Sequence, residues 1–116
     1  MSLITTQRMT IKKLEITKNN RQPVSGYTLL RVDPDDETSA VLVIPCRITN
    51  VRENNFDLVG LKLFVLKKYY EKIPDGLHKN YQIMLEGYNQ TYVISKEPVW
   101  AGGIFHHIEA DLEEMV

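Results

Sequence analysis

The chain reads as all-β: a small β-barrel or sandwich of about six strands, with at most one or two short helices. Three observations predict this. Apolar and polar residues alternate through residues 80–112, with Tyr81, Ile83 and Leu85, then Tyr92 and Ile94, then Ile104, Ile108, Ala110 and Leu112 on one face. Turn-forming residues punctuate the chain roughly every eight to twelve residues, the rhythm of small sheet proteins. No stretch keeps a helical period for more than about two turns. A sheet this small closes on itself or covers its edges, because open strand edges invite aggregation.

The length, 116 residues, fits one domain, with residues 1–8 as an extended N-terminal arm. Hydrophobic residues make up 43% and charged residues 25%, which separates the chain from disordered sequences. The net charge of −1 excludes a global basic field for nucleic acid. Cys46 is the one cysteine, so no intrachain disulfide forms, in keeping with a reducing cytoplasm. The first residues lack the charged start and long apolar run of a secretory signal, and no apolar stretch approaches a membrane span.

In chain order, residues 9–17 carry Met9, Ile11, Leu14 and Ile16, whose parity changes after Ile11. The β-branched Thr10, Ile11, Ile16 and Thr17 favour a bulged strand over a short helix. Residues 18–26, rich in Asn, Pro, Ser and Gly, read as a loop. Residues 27–32 are strand-like and 33–37 form an acidic turn. Residues 40–49 form a strand with Leu42, Ile44, Cys46 and Ile48 on one face. Pro45 cannot donate to a ladder, which places this strand at an edge or a bulge.

Residues 50–58 read as a loop holding Arg52, Glu53, Asn54, Asn55 and Phe56. Residues 60–66 are apolar on both faces, as in a strand covered on both sides. Residues 67–73 fit a single helical turn, ended by Pro74, Asp75 and Gly76. Residues 81–86 and 91–95 form a hairpin across Gly87, Tyr88 and Asn89. A loop with Pro98, Gly102 and Gly103 leads into the last strand, 104–112.

No catalytic, cofactor-binding or metal residue is assigned, and the chain is read as a non-enzyme. Adjacent His106 and His107 point to opposite faces of a strand, so they cannot share an ion. His107 and Glu109 alone are too few ligands for zinc. The expected arrangement is an inward, hydrogen-bonded His106 and a solvated His107. The acidic run at 33–37 lacks the glycine and distal glutamate of a calcium loop. Cys46 lies on an apolar face and reads as structural. Lys67, Lys68, Tyr69, Tyr70 and Lys72 form a basic-aromatic patch, suited to base stacking or, more commonly, to the rim of a protein interface. Glu109, Asp111, Glu113 and Glu114 make the C-terminal end acidic. Patch and acidic end together suit head-to-tail contact between copies.

From Leu63 onward the order of features resembles the head-completion proteins of long-tailed bacteriophages, also called stoppers or head-tail joining proteins. The features are an apolar strand (Leu63, Phe64, Val65), a polar segment at 67–76, an amphipathic strand (Ile83 to Leu85), a turn at Gly87, the strand Tyr92-Val93-Ile94, and the ending His106-His107-Ile108-Glu109. The resemblance implies a structural virion protein of the neck, made in the host cytoplasm and located at the head-tail interface. It implies a small β-barrel working as a ring of six or twelve copies, between a portal or adaptor protein and a tail terminator or tail tube protein. Such a ring helps close the channel and docks the tail, while packaged DNA passes without specific binding. No cofactor and no membrane are involved. The channel-plugging loop of such proteins is often long; here its counterpart, 50–58, is short, and residues 18–26 or 33–39 offer an alternative. The loop at 50–58 is expected to order only against a neighbouring copy or facing the channel. The competing readings are another virion ring component, a tail terminator or tail-completion protein, and a cellular small β-barrel binding module.

Overall fold

The computed structural model describes residues 7–19, 22–53, 57–102 and 106–115. Its elements are β1 (Gln7–Asn19), β2 (Gln22–Leu29), β3 (Ile44–Glu53), β4 (Asp57–Leu66), α1 (Lys67–Tyr70), β5 (Gln82–Leu85), β6 (Thr91–Ile94), β7 (Val99–Ala101) and β8 (His107–Glu114). Six strands close an antiparallel barrel in the order β1-β3-β4-β8-β6-β5, with β5 returning to β1. β2 and β7 are the two extra strands, paired with β1 and β8. The one helix among the described residues is four residues long. The expected all-β class is therefore observed, and of the two expected architectures, barrel or sandwich, it is the barrel.

Alternation builds the core. Met9 and Ile11, Ile44 and Cys46, Leu61, Leu63 and Val65, Ile83 and Leu85, and Ile108, Ala110 and Leu112 all point inward and are buried. Leu63 pairs with Ile48 on one side and Ala110 on the other, at the centre of two ladders. The expected hairpin β5–β6 is present, with Ile83 opposite Tyr92. Gly87, at φ 85°, takes the left-handed conformation in its turn.

One strand leaves the barrel at each end. β1 pairs with β3 and β5 through residues 7–12, then continues to Asn19 against β2 alone. Lys12 pairs with Leu29 on one edge and Gln82 on the other, so β2 follows β3 along the same edge of β1. β3 runs antiparallel to β1, and beyond the point where β4 leaves β8 the strands β3 and β4 continue as a two-stranded hairpin. The two ribbons therefore project from opposite ends, consistent with principal extents of 50 × 30 × 27 Å.

Several expectations need correction. Residues 18–19 and 22–26 are not a loop: β1 and β2 pair as far as Asn19 and Gln22, and Asn20 and Arg21 lie outside the described residues. Residues 50–58 are not a loop either. Arg52 and Glu53 belong to β3, opposite Leu58 and Asp57, with a bulge between Val51 and Arg52; Asn54, Asn55 and Phe56 lie outside the described residues. Ladder pairing satisfies backbone groups without an apolar face, so a ribbon outside the core leaves no alternation to read. The break of parity after Ile11 is no bulge; β1 keeps one register and simply exits the barrel there. β3 begins at Ile44, while Val41 bridges Arg31. Pro45 fits where it lies, opposite Arg8 of β1 and before the β4 ladder starts at Arg47. Val99–Ala101, within an expected loop, is a strand.

Candidate functional site

The connection from β4 to β5 crosses one mouth of the barrel. It begins with α1, and its Ile73 and Leu77 enter the core. Tyr70 holds the crossing in place: its hydroxyl oxygen accepts the Leu77 backbone N–H at 2.9 Å. The Tyr70 ring meets Trp100 of β7 edge-on, with centroids 5.2 Å apart. Tyr70 and Tyr69 are therefore partly buried packing residues as well as members of the basic-aromatic patch. The lysines of the patch stay exposed. Lys67 pairs with Glu71 at 3.8 Å, and Lys68 and Lys72 approach the Tyr69 ring at 4.9 and 5.8 Å. Exposed pairs of this kind contribute little each and are screened by salt.

The acidic end divides into two parts. Glu109 is internally engaged: its carboxylate lies 3.0 Å from His107 Nε2 and 3.6 Å from Lys62 Nζ. Asp111 accepts from Ser95 through its backbone oxygen. Glu113 and Glu114 are exposed at the far end of β8. Because Leu66 pairs with His107, α1 sits at the start of β8 and these two acids at its finish. Basic patch and acidic terminus thus occupy opposite ends of the barrel.

The histidines depart from expectation. His106 is exposed, before β8 begins, with its ring 6.2 Å from Trp100. Its backbone oxygen accepts from Lys67, so it is a connector rather than an inward strand residue. His107 is half-buried on the outer face, beside Phe64 and Glu109. This is the second cover that the doubly apolar β4 called for: Phe64 and Leu66 face His107 and α1 rather than open water.

The hydrogen bond from His107, reinforced by the Lys62 charge, holds the Glu109 carboxyl below its ordinary range near 4.5. A depressed carboxylate stabilises the fold above the unfolded value, and that contribution disappears as pH falls through the lower folded value. Glu109→Gln should therefore flatten the acid limb of the stability curve. Urea midpoints measured from pH 7 downward should show the parent losing more stability than the variant below about pH 4.5. Parallel curves would rule out this role.

The remaining reactive groups are quiet. Burial pushes the Cys46 thiol up to about 12, so it keeps its proton. Two carboxylates of the acidic turn make local bonds, Asp33 accepting from the Asp35 N–H and Asp36 from the N–H and hydroxyl of Thr38. Those bonds hold the Asp36 carboxyl below its usual range. Among the described residues, no group of three or more His, Cys, Asp or Glu is placed to hold a metal ion, and no helix is long and apolar enough to cross a membrane.

What reaches solvent instead is a set of apolar and aromatic side chains on the extra strands. Ile16 and Tyr27 lie on the β1–β2 ribbon, and Val99 and Trp100 on β7. Sequence reading overlooked them as surface features. The parity break at Leu14 was the available signal for the first pair, and the β-forming triplet Val99-Trp100-Ala101 for the second. Comparison with protein-family models and with curated proteins finds no match for the chain.

Proposed function

We propose that this chain is a structural ring protein of a tailed-phage neck, seated between the portal-adaptor complex and the tail, where it helps close the DNA channel and docks the tail. The observation that carries the reading is the closed barrel with a two-stranded ribbon leaving each end. A lone two-stranded ribbon is marginally stable in water. Ribbons at both ends therefore favour a part that is gripped from both sides, as a joint between head and tail is. The opposed basic and acidic ends support head-to-tail contact within a ring. A four-residue helix gives little support to a tail terminator, which pairs its sheet with substantial helices. The experiment is deletion of the coding gene in the phage that encodes it. The expected result is DNA-filled or leaking heads accumulating beside separate, finished tails, with joining restored by the supplied protein. Infectious particles assembled normally without the gene would overturn the reading.

A further inference from the structure

The crossing from α1 to β5 is tied to its surroundings at three points. Tyr70 accepts the Leu77 N–H, Lys13 of the ribbon reaches the Asp75 carboxylate at 3.7 Å, and Glu97, between β6 and β7, accepts the Lys79 N–H at 3.1 Å. Between these ties the backbone turns sharply. Asp75 and Asn80 take φ of 60° and 74°, a region that side chains enter at some cost. A segment held this way, by a few bonds rather than a ladder, is one that opens locally.

His78 stands in the middle of it. Its Nε2 lies 2.7 Å from the Asp75 backbone oxygen, and its Nδ1 lies 3.4 Å from Oε2 of Glu97, the carboxylate oxygen that Lys79 does not use. Both partners are acceptors. A neutral imidazole has one N–H, so it serves one of them and turns a lone pair on the other. Only the imidazolium presents an N–H to each. The other charges around the ring are Lys13, on the far side of Asp75, and Lys79, next in the chain. The buried Tyr81 ring lies edge-on to His78, with centroids 5.5 Å apart. Burial first, then the charges of Asp75, Glu97 and Glu15 and the neighbouring Tyr70, push the Tyr81 hydroxyl up, so it stays neutral and does not compete.

We propose that His78 is a pH-sensitive clasp on the crossing that covers the barrel mouth. Protonated, it joins the turn at Asp75 to the segment at Glu97; neutral, it lets go of one of them. Histidine is the side chain that ordinarily changes charge between about pH 5 and 8, so the clasp is closed toward the acid side of that window and open toward the basic side. The two side chains are 50% and 64% exposed, which keeps the effect to a few-fold. It acts on local opening of the crossing and is independent of the neck reading.

The test is amide hydrogen exchange on the purified protein at about pH 5.5 and 8, expressed as protection factors so that the intrinsic pH dependence of exchange cancels. Leu77, Lys79 and Asn80 donate within the crossing or to its ties and are the reporters. Relative to Leu63 in the barrel, their protection should be about two- to fivefold greater at the lower pH. Glu97→Gln keeps an acceptor for Lys79 but removes the charge, and His78→Gln removes the titrating ring; each should abolish the difference. His106→Gln and His107→Gln should leave it in place. Protection independent of pH in the parent would overturn the proposal. So would a difference that survives Glu97→Gln or His78→Gln, or one lost with either of the other two histidines.

Discussion

Replacing Leu63 by alanine should cost about 2–5 kcal/mol of stability, the range for truncating a fully buried leucine. The upper part of that range is expected here for a geometric reason. Leu63 is completely buried and its strand is hydrogen-bonded on both edges, to β3 through Ile48 and to β8 through Ala110. A closed barrel cannot slide one strand inward to fill a hole without breaking ladders on both sides. The neighbour across β8 is an alanine, too short to reach into the space. The void therefore persists, and the cavity cost adds to the lost transfer energy. Ile16→Ala is the control: it removes similar apolar volume from a side chain 69% exposed and should change stability by no more than about 0.5 kcal/mol. Urea unfolding of the purified variants measures both. Equal, small losses at the two positions would mean that the barrel interior collapses around the gap.

The contrast between Leu63 and Ile16 also marks how far the fold could be read from the sequence. Inside the barrel one face is buried, so period two is enforced and visible: the strands read at 81–86 and 91–95 are observed at Gln82–Leu85 and Thr91–Ile94, and the one read at 104–112 runs from His107 to Glu114. Outside it nothing enforces a face. The ribbon at 18–19 and 22–26 and the hairpin at 50–53 and 57–58 are held by backbone pairing, which is blind to side chains, and they read as loops. The barrel's closure was not legible either, since the β1–β5 ladder joins residues far apart in the chain. For the candidate surface, Lys67 and Lys68 lie on the short helix within the expected helical turn at 67–73, Lys72 falls in the turn after it, and Glu113 and Glu114 lie at an acidic end. The internal engagement of Glu109 and the structural use of Tyr70 depend on neighbours brought by the fold, namely Lys62 and Leu77. Those cross-strand and cross-mouth contacts carry no local signal.

Tyr70 leads to the second large effect, at Gly76. Gly76→Ala should destabilise the protein by about 2–5 kcal/mol, combining a left-handed backbone penalty of about 1–2 kcal/mol with loss of a part-buried hydrogen bond worth about 1–3 kcal/mol. Gly76 has φ 74°, and a β-carbon built there would overlap the Tyr70 hydroxyl oxygen and lie 2.9 Å from the ring carbon that bears it. The conformation alone is not prohibitive in this chain, because Asp75 at φ 60° and Asn80 at φ 74° adopt it with side chains. The specific obstacle is the ring. Tyr70 is fixed by the Leu77 N–H and by Trp100, so it yields only by releasing Leu77, whose backbone lies in a residue just 2% exposed. That release loosens the segment that seats Ile73 and Leu77 in the barrel mouth. A double-mutant cycle separates the two causes. Tyr70→Phe alone should cost about 1–3 kcal/mol by leaving the Leu77 N–H without its acceptor. Once that oxygen is gone, Gly76→Ala should cost clearly less than it does in the parent, giving a coupling above about 0.5 kcal/mol. Simple additivity would locate the whole effect of Gly76→Ala in its backbone and leave the ring without a part in it.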